Sequence, residues 1–169
     1  MNPTLKKIFL ISTVVVPFLI YCVYYYGMMI KNAPYKFTEF ESIVIQYGPR
    51  DSMINKYNSK TGDYQYLDSH NSLVKKHLHL PQAELLYLHH KAAELGFWDF
   101  PAVELGDTTI KHEGPKPLRF LIEFNYKRKS KKVLYDASFN GPVKLVEANE
   151  QMVKEIMKVL DEEEGKEKN

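Results

Sequence analysis

Histidine and cysteine are where metal chemistry would show first, and this chain has six of one and a single example of the other. His77 and His79 stand two apart in LVKKHLHL, residues 73–80, a run that reads as a strand. Both rings then point the same way and together offer two of the ligands a zinc site needs. No third ligand follows from the spacing. Val74, Leu78 and Leu80 claim the other face, which leaves the two histidines on the solvent side. His89 and His90 are adjacent in a helical run, where neighbours diverge by about 100°. No glutamate separates them as in the two-histidine zinc helix, so one ring faces solvent and the other edges the core. His77 and His79 are the metal candidates, and no resident metal is expected.

Other chemistry is as sparse. Asp107-Thr108-Thr109 and Asp136-Ala137-Ser138 set acids beside hydroxyls, but no elbow glycines frame a nucleophile. Neither a G-x-G-x-x-G nor a Walker sequence occurs, so no nucleotide or other cofactor is expected. No catalytic motif is present and the reading is a non-enzymatic protein. Five cations, Lys127, Arg128, Lys129, Lys131 and Lys132, crowd what reads as a hairpin tip. Such a tip suits anionic headgroups at about 1 kcal/mol per cation, or simply keeps an exposed turn soluble. Ala102 to Pro117 is a polar stretch with two glycines and two prolines. Loops of that length are often functional, and Asp107 and His112 within it join the five cations as a candidate interaction surface. A catalytic alternative would place a site between this loop and the sheet edge.

Charge removes one class of partner. Four of the 23 basic residues precede Phe37, and all 21 acidic ones follow it, so the remainder of the chain carries −2. A body so near neutrality has no general attraction for nucleic acid.

The elements that must position these residues begin with an apolar run. Ile8 to Ile30 is 23 residues without a charge, about 34 Å as a helix, enough to cross a hydrocarbon core. Tyr24, Tyr25 and Tyr26 gather at its far end, where aromatic rings favour the headgroup layer, and Pro17 predicts a kink. A cleaved secretory signal would need a shorter core and a small-x-small site, and Lys31-Asn32-Ala33 offers lysine instead. A lipoprotein signal would put a small residue before its cysteine, whereas Tyr21 precedes Cys22. The expectation is an uncleaved signal anchor: residues 1–36 with the span at 8–30, single-pass in the inner membrane. The positive-inside bias is slight, and residues 37–169 are placed outside the cytoplasm. With Cys22 alone, no intrachain disulfide is possible.

The central helix is PQAELLYLHHKAAELG, residues 81–96. Leu85, Leu88, Ala92 and Leu95 recur at helical spacing, Pro81 suits the first turn, and Gly96 suits a left-handed C-cap. Phe97, Trp98 and Phe100 follow as packing residues, since rings of that size dominate a small core. Before the helix, strands are expected at 40–47, 53–58, 63–67 and 73–80, with Gly48-Pro49 closing the first. After it, Leu118 to Lys127 and Lys131 to Phe139 alternate as a hairpin with one buried face. Val143 to Glu163 reads as a helix that buries Leu145, Met152, Val153, Ile156 and Leu160, and residues 164–169 as a charged, frayed tail. The fold class is α+β: an antiparallel sheet of five to six strands with two helices packed on it over residues 37–163, preceded by one transmembrane helix.

The order of strands, a helix leaving through GFWDFP, a long loop, an alternating hairpin and a final helix is similar to a pattern of small bacterial envelope domains of unknown function. Leu85–Pro101 followed by Leu118–Phe139 also resembles, over residues 40–163, emfourin-type protein inhibitors of metalloproteases, in which a helix with an aromatic-rich exit packs on an antiparallel sheet. The expected function is a non-enzymatic binding domain, with another envelope protein or a cell-wall component as partner beyond the membrane itself. The emfourin resemblance implies the alternative of a protease inhibitor.

Overall fold

The computed structural model describes residues 3–31, 34–50, 52–106 and 116–167. The chain divides into two compact units, Met1–Tyr35 and Lys36–Asn169.

The first unit is one helix, α1 (Pro3–Lys31), with Pro17 inside it. Its Phe9–Gly27 stretch is long and apolar enough to cross a membrane, about 29 Å at the helical rise. Phe9, Val14, Phe18, Val23 and Tyr24 are all more than half exposed.

The second unit is an α+β body. Among the described residues it holds one sheet of seven strands, in the order β4-β3-β2-β1-β6-β7-β5. In chain order these are β1 (Phe40–Pro49), β2 (Asn55–Asn58), β3 (Asp63–Leu67) and β4 (Leu73–His77), then β5 (Val103–Glu104), β6 (Leu118–Tyr126) and β7 (Ser130–Asp136). Helix α2 (Gln82–Glu94) separates the two groups, and α3 (Val143–Glu167) closes the body.

Alternation decides which side chains meet. Ile43 and Ile45 of β1 stand opposite Phe124 and Ile122 of β6, and Ile45 stands opposite Tyr57 of β2. All five are buried. Leu88, Ala92, Met152, Ile156 and Leu160 of the two helices are buried as well. The contacts that tie helices to sheet all reach the face of these residues: His89 Nδ1 lies 2.7 Å from the Tyr126 hydroxyl, Tyr66 donates to Glu164 at 2.9 Å, and Asn149 donates to Glu104 at 2.6 Å.

The exit from α2 fills that core. Gly96 takes φ 73°, a left-handed conformation that glycine adopts without strain. It turns the chain so that Phe97 meets Phe100 and Phe124, each with ring centroids 5.4 Å apart. Trp98 lies edge-on to Phe124 at 5.3 Å. Phe37 and Phe40, from the start of the body, stack at 5.4 Å, and Phe37 reaches His89 at 5.5 Å.

Several expectations are corrected. The sheet has seven strands rather than five or six, and β5 pairs with β7 in parallel, opposite Leu134 and Tyr135. This two-residue strand lies inside the stretch expected to be loop, because a distant partner supplies its pairing. Strand β1 continues through Gly48 and Pro49, opposite Arg119 and Leu118, since the long β6 offers partners there. Strand β4 stops at His77, and the Leu78 N–H donates instead to Gly62 O at 2.8 Å. The expected charged tail from residue 164 is helical as far as Glu167. Glu163 and Glu164 are buried, and Glu164 pairs with Lys76 on β4. Val159 joins the buried stripe of α3, while Leu145 and Val153 are half-buried.

Candidate binding surface

Both helices occupy one side of the sheet, so the other side of the body carries no described helix. One register line crosses all seven strands on that open face. It runs Val103–Leu134–Leu121–Gln46–Lys56–Gln65–Lys75. The row changes character along its length. Val103, 58% exposed, Leu134 and Leu121 form an apolar end, and Lys56 and Lys75 form an exposed cationic end. Two shallow depressions lie at the polar end. One of about 150 Å³ is lined by Val44, Gln46, Lys56, Asn58 and Asp63. The other, of about 220 Å³, is lined by Lys56, Asp63, Gln65 and Lys75.

The neighbouring row holds a histidine. Lys132, Glu123, Val44, Asn58, Asp63 and His77 follow one another across six strands. The His77 ring lies on Gly62, where a β-carbon would collide with it. His77 and His79 are both exposed, as expected of the solvent side. Among the described residues no group of three or more His, Cys, Asp or Glu side chains could hold a metal ion. In the other pair His89 is buried and His90 exposed, and burial, with the charge of His90 second, lowers the His89 pKa.

At the far end of the open face lies a buried ionic cluster. Asp136 has no exposed surface. Its Oδ2 accepts from Arg50 Nε at 3.1 Å and from Arg119 at 3.1 and 3.3 Å, and its Oδ1 accepts from the Ser138 hydroxyl and backbone N–H. Burial pushes this carboxyl up, but Ser138 and the two guanidiniums outweigh it and bring the pKa to about 2. Gly106 packs so closely on Ser138 that a β-carbon would overlap it, which fixes the start of the 102–117 segment on this cluster. Asp107 and His112 lie outside the described residues.

A second buried acid belongs to the opposite face. Glu104 Oε2 accepts from Asn149, while Glu104 Oε1, Asn149 Oδ1 and the Tyr135 hydroxyl have no hydrogen-bond partner among the described residues. Burial raises the Glu104 pKa, against smaller opposing effects of Asn149 and Lys131. The register opposite Tyr135 puts Glu104 on the helix side, and the register opposite Arg119 puts Asp136 on the open side. The two acids therefore share no pocket and form no proton-transfer pair.

The five expected tip cations separate. Alternation along β7 sends Lys131 and Lys132 to opposite faces. Lys131 turns inward and donates to Phe100 O, and burial lowers its pKa. Lys132 pairs with Glu123 at 3.5 Å on the open face. Lys127, Arg128 and Lys129 keep the turn, and Arg128 forms a fork with Glu39. Two cations that no local pattern marked come to the same end of the body. Lys36 is exposed beside Glu39, and Lys60 sits in the β2–β3 turn, 4.0 Å from Glu41.

No known protein family, characterised protein or solved structure matches this chain.

Proposed function

We propose that the protein is a membrane-tethered, non-enzymatic binding domain of a bacterial envelope. In this reading Ile8–Ile30 holds it in the inner membrane as an uncleaved anchor, with residues 37–169 outside the cytoplasm. The open face of the sheet then binds another macromolecule, an envelope protein or a cell-wall component. One observation carries the reading: a register line across seven strands, apolar at one end and cationic at the other, on the face opposite both helices. A sheet face of that kind supplies apolar contact for affinity and polar groups for register. Glu104 and Asp136, on opposite faces of the sheet, offer no paired acids for the catalytic alternative near the 102–117 segment.

The test is photo-crosslinking in intact membranes. A benzophenone side chain at Gln46, in the middle of the row, should capture one defined partner. The same group at the exposed Lys154 of α3 should capture none. Equal capture at both positions, or none above background at Gln46, overturns the assignment of the open face.

A further inference from the structure

Three separate segments bring cations to one end of the body. The β6–β7 turn supplies Lys127, Arg128 and Lys129. The β2–β3 turn supplies Lys60, and the start of the body supplies Lys36. Backbone hydrogen bonds hold them together: the Lys127 N–H donates to Glu39 O at 2.9 Å, and the Ser59 N–H to Ile43 O at 3.0 Å. Lys36, Lys60, Lys127 and Arg128 are exposed. The acids of this end are Glu39, forked on Arg128, Glu41, facing Lys60, and Asp63, which accepts from Thr61 at 2.6 Å, while Glu123, level with Asp63, is matched by Lys132. Counting Lys132 and Glu123, six cations exceed four acids by two, although the whole body carries an excess of acid. The far end, with the Ser69–Ser72 turn and the locked Arg50–Asp136–Arg119 cluster, has no comparable group of exposed cations among its described residues.

The sequence gives that asymmetry a direction. Lys36 follows Lys31, the last residue of α1, by five residues, at most about 18 Å of extended chain. No acid lies between them, and Lys31 adds another cation. Attraction to an anionic surface acts over about a screening length, near 8–10 Å at ordinary salt. We propose that this end of the body docks on the anionic phospholipid headgroups of the bilayer that holds the apolar helix, which sets the orientation in which the open face is presented. The proposal rests on the tethered reading above.

The experiment uses the full chain with Cys22→Ser, reconstituted in vesicles of phosphatidylcholine alone or with roughly one third phosphatidylglycerol. A fluorophore is placed at Ser130→Cys beside the turn or, as control, at Ser69→Cys at the far end, both exposed. Headgroup-attached spin labels report proximity by quenching. The expected result is quenching at position 130 several-fold stronger in the anionic vesicles, and abolished at about 1 M salt, where screening falls to about 3 Å. Lys127→Gln with Lys129→Gln should reduce it similarly while leaving Trp98 fluorescence unchanged. Position 69 should respond to neither lipid nor salt. Equal quenching at position 130 in both vesicle types, or quenching that survives high salt, overturns headgroup docking while the tether stands. Failure of the chain to float with either vesicle after an alkaline wash overturns the tether itself and the docking with it.

Discussion

A carboxylate with no exposed surface stays ionised only if its neighbours insist, and Asp136 has such neighbours. Its folded pKa, about 2, lies below the ordinary 3.8, so the unfolded chain takes up the proton first on acidification. The contribution to stability is present above about pH 4 and is lost as pH falls through 2. The difference corresponds to about 2 kcal/mol. Asp136→Asn should lower stability by about 3 kcal/mol at neutral pH, because two guanidiniums lose their counter-charge. It should also flatten the acid limb between pH 4 and 2. Denaturant titrations of the detergent-solubilised chain, followed through its one tryptophan, Trp98, would measure both. Glu104 runs the other way. Its raised pKa means the folded state holds the proton longer, so its contribution is full at low pH and is lost as pH rises through the folded value. Glu104→Gln should therefore stabilise by about 1 kcal/mol at pH 7 and change little at pH 4, since the amide can also serve Asn149 Oδ1, which has no partner among the described residues. Asp136-Ala137-Ser138 stands out in the sequence as an acid beside a hydroxyl, and the two do bond, but the guanidinium partners and the buried Glu104 are not legible there. Arg50 and Asp136 are 86 residues apart, as are no two members of a local motif, and a lone glutamate in a polar stretch gives no sign of burial.

Local periodicity is a good guide where an element makes its own pattern. The 3–4 spacing of α2, its glycine cap, and the alternation of β6 and β7 are all plain, since each repeats over many residues with one face buried. Gly96→Ala tests the cap directly. No atom of the described residues lies within 4 Å of the added β-carbon, so the substitution acts through φ and should cost about 1 kcal/mol, read as a lower unfolding midpoint with unchanged slope. Elements that borrow their pairing are invisible from within. Strand β5 is two residues long and exists through β7, and the last turn of α3 looks like a solvated tail until Tyr66 and Lys76 supply Glu164 with partners. The dispersal of the five tip cations has the same origin: the turn is local, but which lysine faces which side depends on where the strand begins.

At the scale of the whole molecule, an apolar helix with exposed side chains precedes a body whose two helices crowd one side of its sheet. If that helix is the tether proposed above, it would confine the open face to a thin layer beside the bilayer and raise its effective concentration for partners in that layer. That account depends on the apolar segment staying attached. The most direct measurement is the intact mass of the native protein after an alkaline wash of its membranes. The account predicts that the protein sediments with the membranes at a mass that includes residues 8–30. A protein recovered in the soluble fraction, beginning after Lys31, would contradict it.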